Sequence, residues 1–265
     1  MSLFDRMVCG IDGTTASFAA VRQAAALADK DSHLLLLTVY DEVAIAAATA
    51  GEAGMVVPPA LSESGEESQA EALQLARTVA PGVRAEHEVV EGPILPTLMS
   101  TLEERKATVV AVGRHGHSRL GGMVVGSVLT KLLHDGPCSV LVAGERPDDE
   151  PFPRTIVVGF DGSEQAEGAV RAAAGVAART GASVEALCAT DGKKVDSDAL
   201  ESRLKELAPG VTLRFEDANP AHALAEQKCD LVVVGHRGVH GFRARLGSVS
   251  ERVAHGAECS VLVIR

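Results

Sequence analysis

Positive charge is in short supply in this chain. Its 25 Lys+Arg stand against 36 Asp+Glu, a net charge of −11. That balance argues against nucleic acid and anionic membrane surfaces as partners. The shortage is uneven: residues 1–150 hold 11 Lys+Arg and 21 Asp+Glu, whereas residues 151–265 hold 14 and 15. Tryptophan is absent and tyrosine occurs once, so aliphatic residues and alanine must supply most of the 46% hydrophobic content. The five cysteines (9, 138, 188, 229, 259) sit singly, with neither a CxxC nor a Cys/His spacing suited to zinc. Buried free thiols in a reducing compartment are expected, and no metal ligand is nominated. No apolar run approaches the ~18–20 residues that span a bilayer, and a signal-peptide pattern is lacking. The expectation is a soluble, cytoplasmic protein without membrane or nucleic-acid partners.

What the chain does have is repetition. Cys138-Ser139-Val140-Leu141-Val142 returns letter for letter at Cys259-Ser260-Val261-Leu262-Val263. Each copy follows a Gly-Ser pair, Gly126-Ser127 and Gly247-Ser248, and each pair follows an apolar run ending in glycine, at Gly113 and Gly235. Upstream, Ile11-Asp12-Gly13-Thr14 matches Phe160-Asp161-Gly162-Ser163. One unit has been written twice, which sets the architecture before any single residue is interpreted. The domains expected are 1–144 and 154–265. Between them, residues 145–153 hold three prolines and four acids, a linker composition with little apolar surface to bury.

Short apolar runs alternate with alanine-rich amphipathic stretches in both units. The first unit predicts strands at 6–11, 33–40, 83–90, 107–113 and 138–143, with helices at 15–30, 63–80, 93–105 and 124–135. The second predicts strands near 154–160, 183–190, 211–217, 230–235 and 259–264, with helices near 164–180, 195–208, 220–227 and 247–256. Continuous Val/Leu/Ile runs separated by helices mark parallel strands covered on both faces. The fold class is therefore α/β: two tandem, doubly wound parallel-sheet domains of Rossmann-like type. Asp12 to Gly113 spans 101 residues and Asp161 to Gly235 only 74, most of the difference lying in residues 41–62. That segment reads as a tolerated insertion, with a lid or dimer contact as the alternative.

In an open parallel sheet, ligands bind at the carboxyl ends of the strands where their order reverses. The unusual residues gather there: Asp12-Gly13-Thr14 after strand one, then Gly113-Arg114-His115-Gly116 after strand four, then Gly126-Ser127 opening a helix. Glycines let a backbone approach a ligand, and helix-start N–H groups favour anions. Together they describe a phosphate cradle; the plainer reading is turn residues and helix caps. Arg114, His115, His117 and Arg119 read as solvated loop residues of which one or two touch phosphate. A Walker-type Gly-x4-Gly-Lys-Ser/Thr loop and a Gly-x-Gly-x-x-Gly turn after the first strand are both missing. No Ser/His/Asp order stands out, so no catalytic residue is nominated.

With these motifs in this order, the chain resembles a tandem universal stress protein of the ATP-binding branch over essentially its whole length. The Asp-Gly-Ser/Thr signature is met at Asp12 and Asp161. The Gly-x2-Gly-x9-Gly-Ser/Thr signature is met by Gly113, Gly116, Gly126 and Ser127, and the strand-five pattern by both pentapeptides. The resemblance implies a five-stranded parallel sheet per unit, binding ATP or AMP with magnesium as a companion of the phosphates. It places Asp12, Gly13 and Thr14 near adenine and ribose and Val39 against adenine. Gly113, Arg114, Gly116, Gly126, Ser127 and Val128 would hold ribose and phosphates. The matching second set is Asp161, Gly162, Ser163, Ala189, Gly235, Gly238, Gly247, Ser248 and Val249. It also implies that strands 138–143 and 259–264 meet in an internal pseudo-dimer seam, with a homodimer left open.

The second set departs from the pattern. Only eight residues, Val239 to Leu246, separate Gly238 from Gly247, and Ala189 replaces Val39. Arg237, Arg243 and Arg245 could compensate by attracting phosphate. The expected function is an adenine-nucleotide-binding stress regulator with an unidentified protein partner. The alternatives are a slow ATP hydrolase or nucleotidyl-transferring protein, and a nucleotide-independent dimerising scaffold.

Overall fold

The computed structural model describes residues 2–41, 63–114, 127–236 and 249–265. Along the first repeat run β1 (Arg6–Gly10), α1 (Thr15–Leu27), β2 (His33–Tyr40), α2 (Glu63–Val79), β3 (Arg84–Glu91), α3 (Ile94–Glu104), β4 (Val109–Gly113), α4 (Ser127–Asp135) and β5 (Ser139–Ala143). Along the second run β6 (Thr155–Gly159), α5 (Glu164–Thr180), β7 (Ser183–Ala189), α6 (Ser197–Leu207), β8 (Thr212–Glu216), α7 (Pro220–Ala225), β9 (Leu231–Gly235), α8 (Val249–Gly256) and β10 (Ser260–Ile264). Each predicted run became the element expected. α1 ends three residues early because Ala28 is already extended and the Ser32 hydroxyl accepts the N–H of Asp29 at 2.7 Å. Residues 42–62, the lid or dimer-contact candidate, lie outside the described residues.

Two compact units emerge, residues 1–113 and 114–265. In the first the strand order is β3-β2-β1-β4, all parallel. In the second it is β5-β10-β9-β6-β7-β8, parallel except for the antiparallel pair β5–β10. The sequence repeat closes after β5, but β5 pairs with β10 and so belongs to the second compact unit. Leu141 stands opposite Leu262, with Val140 and Val142 opposite Val263 and Val261. The two identical pentapeptides thus pair about a local twofold, as the resemblance implied for these strands.

Sequence explains the layers. β2, His-Leu-Leu-Leu-Leu-Thr-Val-Tyr, buries four consecutive leucines, as a strand covered on both faces must. β3 is mostly charged and largely exposed, and takes the outer place in its order. α1 turns Ala20, Val21, Ala24 and Leu27 inward and packs on β4; α5 does the same on β9 with Ala169, Val170, Ala173 and Val176. Alanine on the buried face lets the helix backbone sit close to the strand. Burying each Val or Leu contributes roughly 1.5–3 kcal/mol. Thr14, Ser163, Asp196 and Asn219 cap α1, α5, α6 and α7 through side-chain oxygens, as sequence rules require.

Residues 145–153 are tied down despite their linker composition. The Arg146 side chain is only 9% exposed; it lies 3.6 Å from Asp230 and donates to the Pro151 carbonyl at 3.0 Å. Its guanidinium also stacks 4.8 Å from the centre of the Phe152 ring, and Phe152 is itself buried. Burial works against the Asp230 charge. Hydrogen bonds from the backbone and side chain of Arg154, with the charges of Arg146 and Arg154, outweigh it and hold the carboxyl below its ordinary range.

Candidate functional site

In the first unit the chain passes β1 to β2 to β3 in one direction and returns to place β4 on the other side of β1. The order reverses between β1 and β4. Asp12 follows β1 there and Gly113 ends β4. The same reversal in the second unit lies between β6 and β9, marked by Asp161 and Gly235.

Asp12 is exposed and organises a tight turn. Its Oδ1 accepts the Thr14 backbone N–H at 3.0 Å and the Thr14 hydroxyl at 2.6 Å. The Thr14 oxygen in turn accepts the N–H of Ser17, starting α1. Gly13 between them has φ 76°, a left-handed conformation that favours glycine. The second copy repeats this atom for atom. Asp161 Oδ1 takes the Ser163 N–H at 3.1 Å and its hydroxyl at 2.5 Å, Gly162 has φ 77°, and Ser163 caps α5. The turn-former reading of these aspartates is thus realised, and the turn also presents both carboxylates at the strand ends where a ligand would lie.

Gly113 has a structural reason of its own. A Cβ there would stand 2.3 Å from the carbonyl carbon and oxygen of Ala16 and 2.7 Å from the Ser17 nitrogen. A Cβ on Gly235 would meet the Gln165 carbonyl at 2.3 Å. In each repeat the end of the fourth strand passes against the first turn of the helix, and only glycine allows it. Sequence spacing read these glycines as ligand contacts; helix–strand contact is a second demand on them, independent of any ligand.

Val39 and Ala189 are half-buried near the ends of β2 and β7, where the resemblance puts adenine. The Arg114 N–H bonds the Ala143 carbonyl, and its guanidinium donates to the Cys259 carbonyl at 3.0 Å. Burial lowers the Arg114 pKa, and the nearby Cys259 opposes that shift. His236, the counterpart of Arg114, is 9% exposed and its Nδ1 has no hydrogen-bond partner among the described residues. Val128 and Val249 lie at the starts of α4 and α8. Ser127 begins α4. Gly116, Gly126, Gly238, Gly247 and Ser248 lie outside the described residues, as do His115, His117, Arg119, Arg237, Arg243 and Arg245.

A cleft of about 470 Å³ opens in the second unit, walled among the described residues by Glu164, Gln165, Gly168, Arg171, His236, Ile264 and Arg265. It lies at the carboxyl ends of β9 and β10 and the start of α5, although Asp161, Gly162, Ala189 and Gly235 are not among its described walls. Among the described residues no three His, Cys, Asp or Glu side chains group to hold a metal ion. No helix among them is long and apolar enough to cross a membrane.

Sequence reasoning missed the neighbours of Arg114 and the proximity of two cysteines. Cys9, Cys138 and Cys188 are buried as expected, but Cys229 and Cys259 are half-buried and their sulfurs are 3.7 Å apart. The available signal was their position: both just precede parallel neighbouring strands.

Comparison with known proteins bears on the whole chain. The model of the universal stress protein family matches residues 3–144, 153–219 and 194–265. A universal stress protein of Mycolicibacterium smegmatis is 31% identical, aligned over 98% of this chain and 96% of its own. Universal stress protein Rv2623 of Mycobacterium tuberculosis is 30% identical with the same coverage. The crystal structure of a universal stress protein from Archaeoglobus fulgidus superposes with a TM-score of 0.73 over 100% of this chain and 98% of that one, at 21% identity.

Proposed function

The chain belongs to the universal stress protein family, and from that premise we propose that it is an adenine-nucleotide-binding regulator of the tandem type. ATP or AMP is held at the strand-order reversal of the first repeat, and its occupancy changes the surface offered to a protein partner in the cytoplasm. The observation that carries this reading is the Asp12-Gly13-Thr14 turn. It presents an exposed carboxylate and a helix start at the end of β1, beside the end of β4 where the intact Gly-x2-Gly-x9-Gly-Ser spacing begins. Asp12 would face the ribose and adenine, Val39 the adenine ring. Gly116, Gly126 and the N–H groups at the start of α4, with Ser127, would hold the phosphates. Magnesium would accompany the phosphates rather than occupy a protein cage, in keeping with its preference for few carboxylates and several waters. The chain's own groups would supply binding and orientation.

The test is calorimetric titration of the full chain, freed of carried-over nucleotide, with ATP and magnesium. Saturable binding is expected, weakened at least about tenfold, or about 1.4 kcal/mol, in both Asp12→Ala and Ser127→Ala. No heat from verified apo protein would remove the nucleotide reading and leave a scaffold. Phosphate release that Asp12→Ala abolishes would move the protein into the hydrolase class.

A further inference from the structure

Cys229 stands two residues before Leu231, where β9 begins, and Cys259 one residue before Ser260, where β10 begins. These strands are parallel, with Leu231 opposite Ser260. The register sets the two sulfurs 3.7 Å apart, within hydrogen-bond reach. A disulfide bond is about 2.05 Å long and demands close, correctly facing Cβ atoms, and side-chain rotation at two strand starts is the movement required. Neither thiol is sealed from solvent, in contrast to the other three.

The surroundings polarise the pair. Arg114 holds its guanidinium at the Cys259 carbonyl, and its buried Nε has no hydrogen-bond partner. The hydrogen bond from Cys229, and then the Arg114 charge, hold the Cys259 thiol below its ordinary value. The same hydrogen bond, burial and the Asp230 charge push Cys229 up. A half-buried sulfur beside a cation and next to a second thiol is in the environment of a reactive cysteine with a resolving partner. The repeat supplies an internal contrast. With Gly113 aligned on Gly235, the first copy has buried Cys138 in place of Cys259 but Ala107 in place of Cys229. The pair exists in the second copy alone.

We propose that Cys229 and Cys259 form a modification site at which a hydroperoxide converts the dithiol to an intrachain disulfide. The Cys259 thiolate attacks one peroxide oxygen; an S–O bond forms, the O–O bond breaks, and the departing alkoxide or hydroxide takes up a proton. The Cys229 sulfur then attacks the sulfenic sulfur; the S–S bond forms, the S–O bond breaks, and hydroxide leaves with the Cys229 proton as water. The two sulfurs lose two electrons and the peroxide gains them.

The full-length reduced protein is treated with one to five equivalents of hydrogen peroxide, quenched, unfolded and alkylated with a maleimide. Loss of two of its five thiols, with a Cys229–Cys259 cross-linked peptide in the digest, is the expected result. In Cys229→Ser the Cys259 sulfenic acid is expected to persist and to be trapped by dimedone. In Arg114→Gln the rate of Cys259 alkylation at neutral pH is expected to fall by up to about tenfold and its pH midpoint to rise, a shift that a merely structural arginine would not produce. Retention of all five thiols, a disulfide joining other cysteines or two chains, or sulfinic acid at Cys259 with Cys229 still free would each overturn the proposal.

Discussion

A single hydrogen-to-methyl change separates two roles for Gly113. The added Cβ would fall 2.3 Å from the Ala16 carbonyl, backbone against backbone, with no flexible side chain to yield. Gly113→Ala is therefore expected to lower stability by about 1–3 kcal/mol or more, read as a fall in the urea midpoint of the nucleotide-free protein. Unchanged stability with lost ATP binding would return the glycine to the ligand. The same scale holds a pH response at His236. Burial, then the charges of Arg265 and His134, keep its imidazole pKa below the ordinary value. An unfolded histidine takes up a proton near pH 6.5, about where the folded ring still refuses one. In that window the unfolded state binds more protons, so stability rises with pH: it is whole above pH ~6.5 and declines as pH falls toward the folded pKa. His236→Gln should flatten urea-derived stability as pH falls below about 6.5; an unaltered slope would mean other groups carry it.

Strands and helices were the most legible level, because their signals are local. The leucine run of β2, the Val-rich ends at Gly113 and Gly235, and the capping residues Thr14 and Ser163 each specify their element within a few positions. Partners distant in the chain were not legible, since periodicity says which residues are buried but not what meets them. The serine in each pentapeptide shows the difference. Ser260 Oγ accepts the Gly144 N–H at 3.1 Å, and Ser139 Oγ accepts the Arg265 N–H at the same distance. The residue after each strand is thus held by the serine of the other copy. The helices repeat the exchange: Thr130 Oγ1 lies 3.1 Å from His255 Nε2, and His134 Nε2 3.3 Å from its counterpart-related Glu251. Identity of the two pentapeptides is then a packing requirement, because each copy serves as the other's acceptor. Ser139 and Ser260 are both buried, and each change to alanine removes an acceptor that the other copy's strand end uses. A loss of roughly 0.5–1.5 kcal/mol per substitution is expected in chemical denaturation. If both variants keep wild-type stability, the serines are incidental and the repeat has another cause.

At the scale of the whole chain, the question is why one unit written twice should work unequally. The Asp-Gly-Ser/Thr turns are superposable in their hydrogen bonds, and Gly113 and Gly235 meet the same obstacle. Besides His236 in place of Arg114 and Ser163 in place of Thr14, the second set differs by Ala189 in place of Val39 and by a spacing between Gly238 and Gly247 that is one residue short. Losing two methyl groups at the proposed adenine contact would weaken binding by at most about 1.6 kcal/mol at ~0.8 kcal/mol per buried carbon. A loop one residue shorter would displace the N–H groups proposed to hold phosphate, where a charge-assisted hydrogen bond is worth about 1.5–3 kcal/mol. Spacing should therefore dominate. Native mass spectrometry with ATP and magnesium is expected to show one tight equivalent per chain and a second weaker by at least about tenfold. Inserting one glycine between Val239 and Leu246 in a Ser127→Ala background, where the first site is disabled, should tighten the remaining equivalent more than Ala189→Val does. The reverse order would place the inequality of the two repeats in the adenine contact, and no response to either change would mean that the second repeat has kept the turn and given up the ligand.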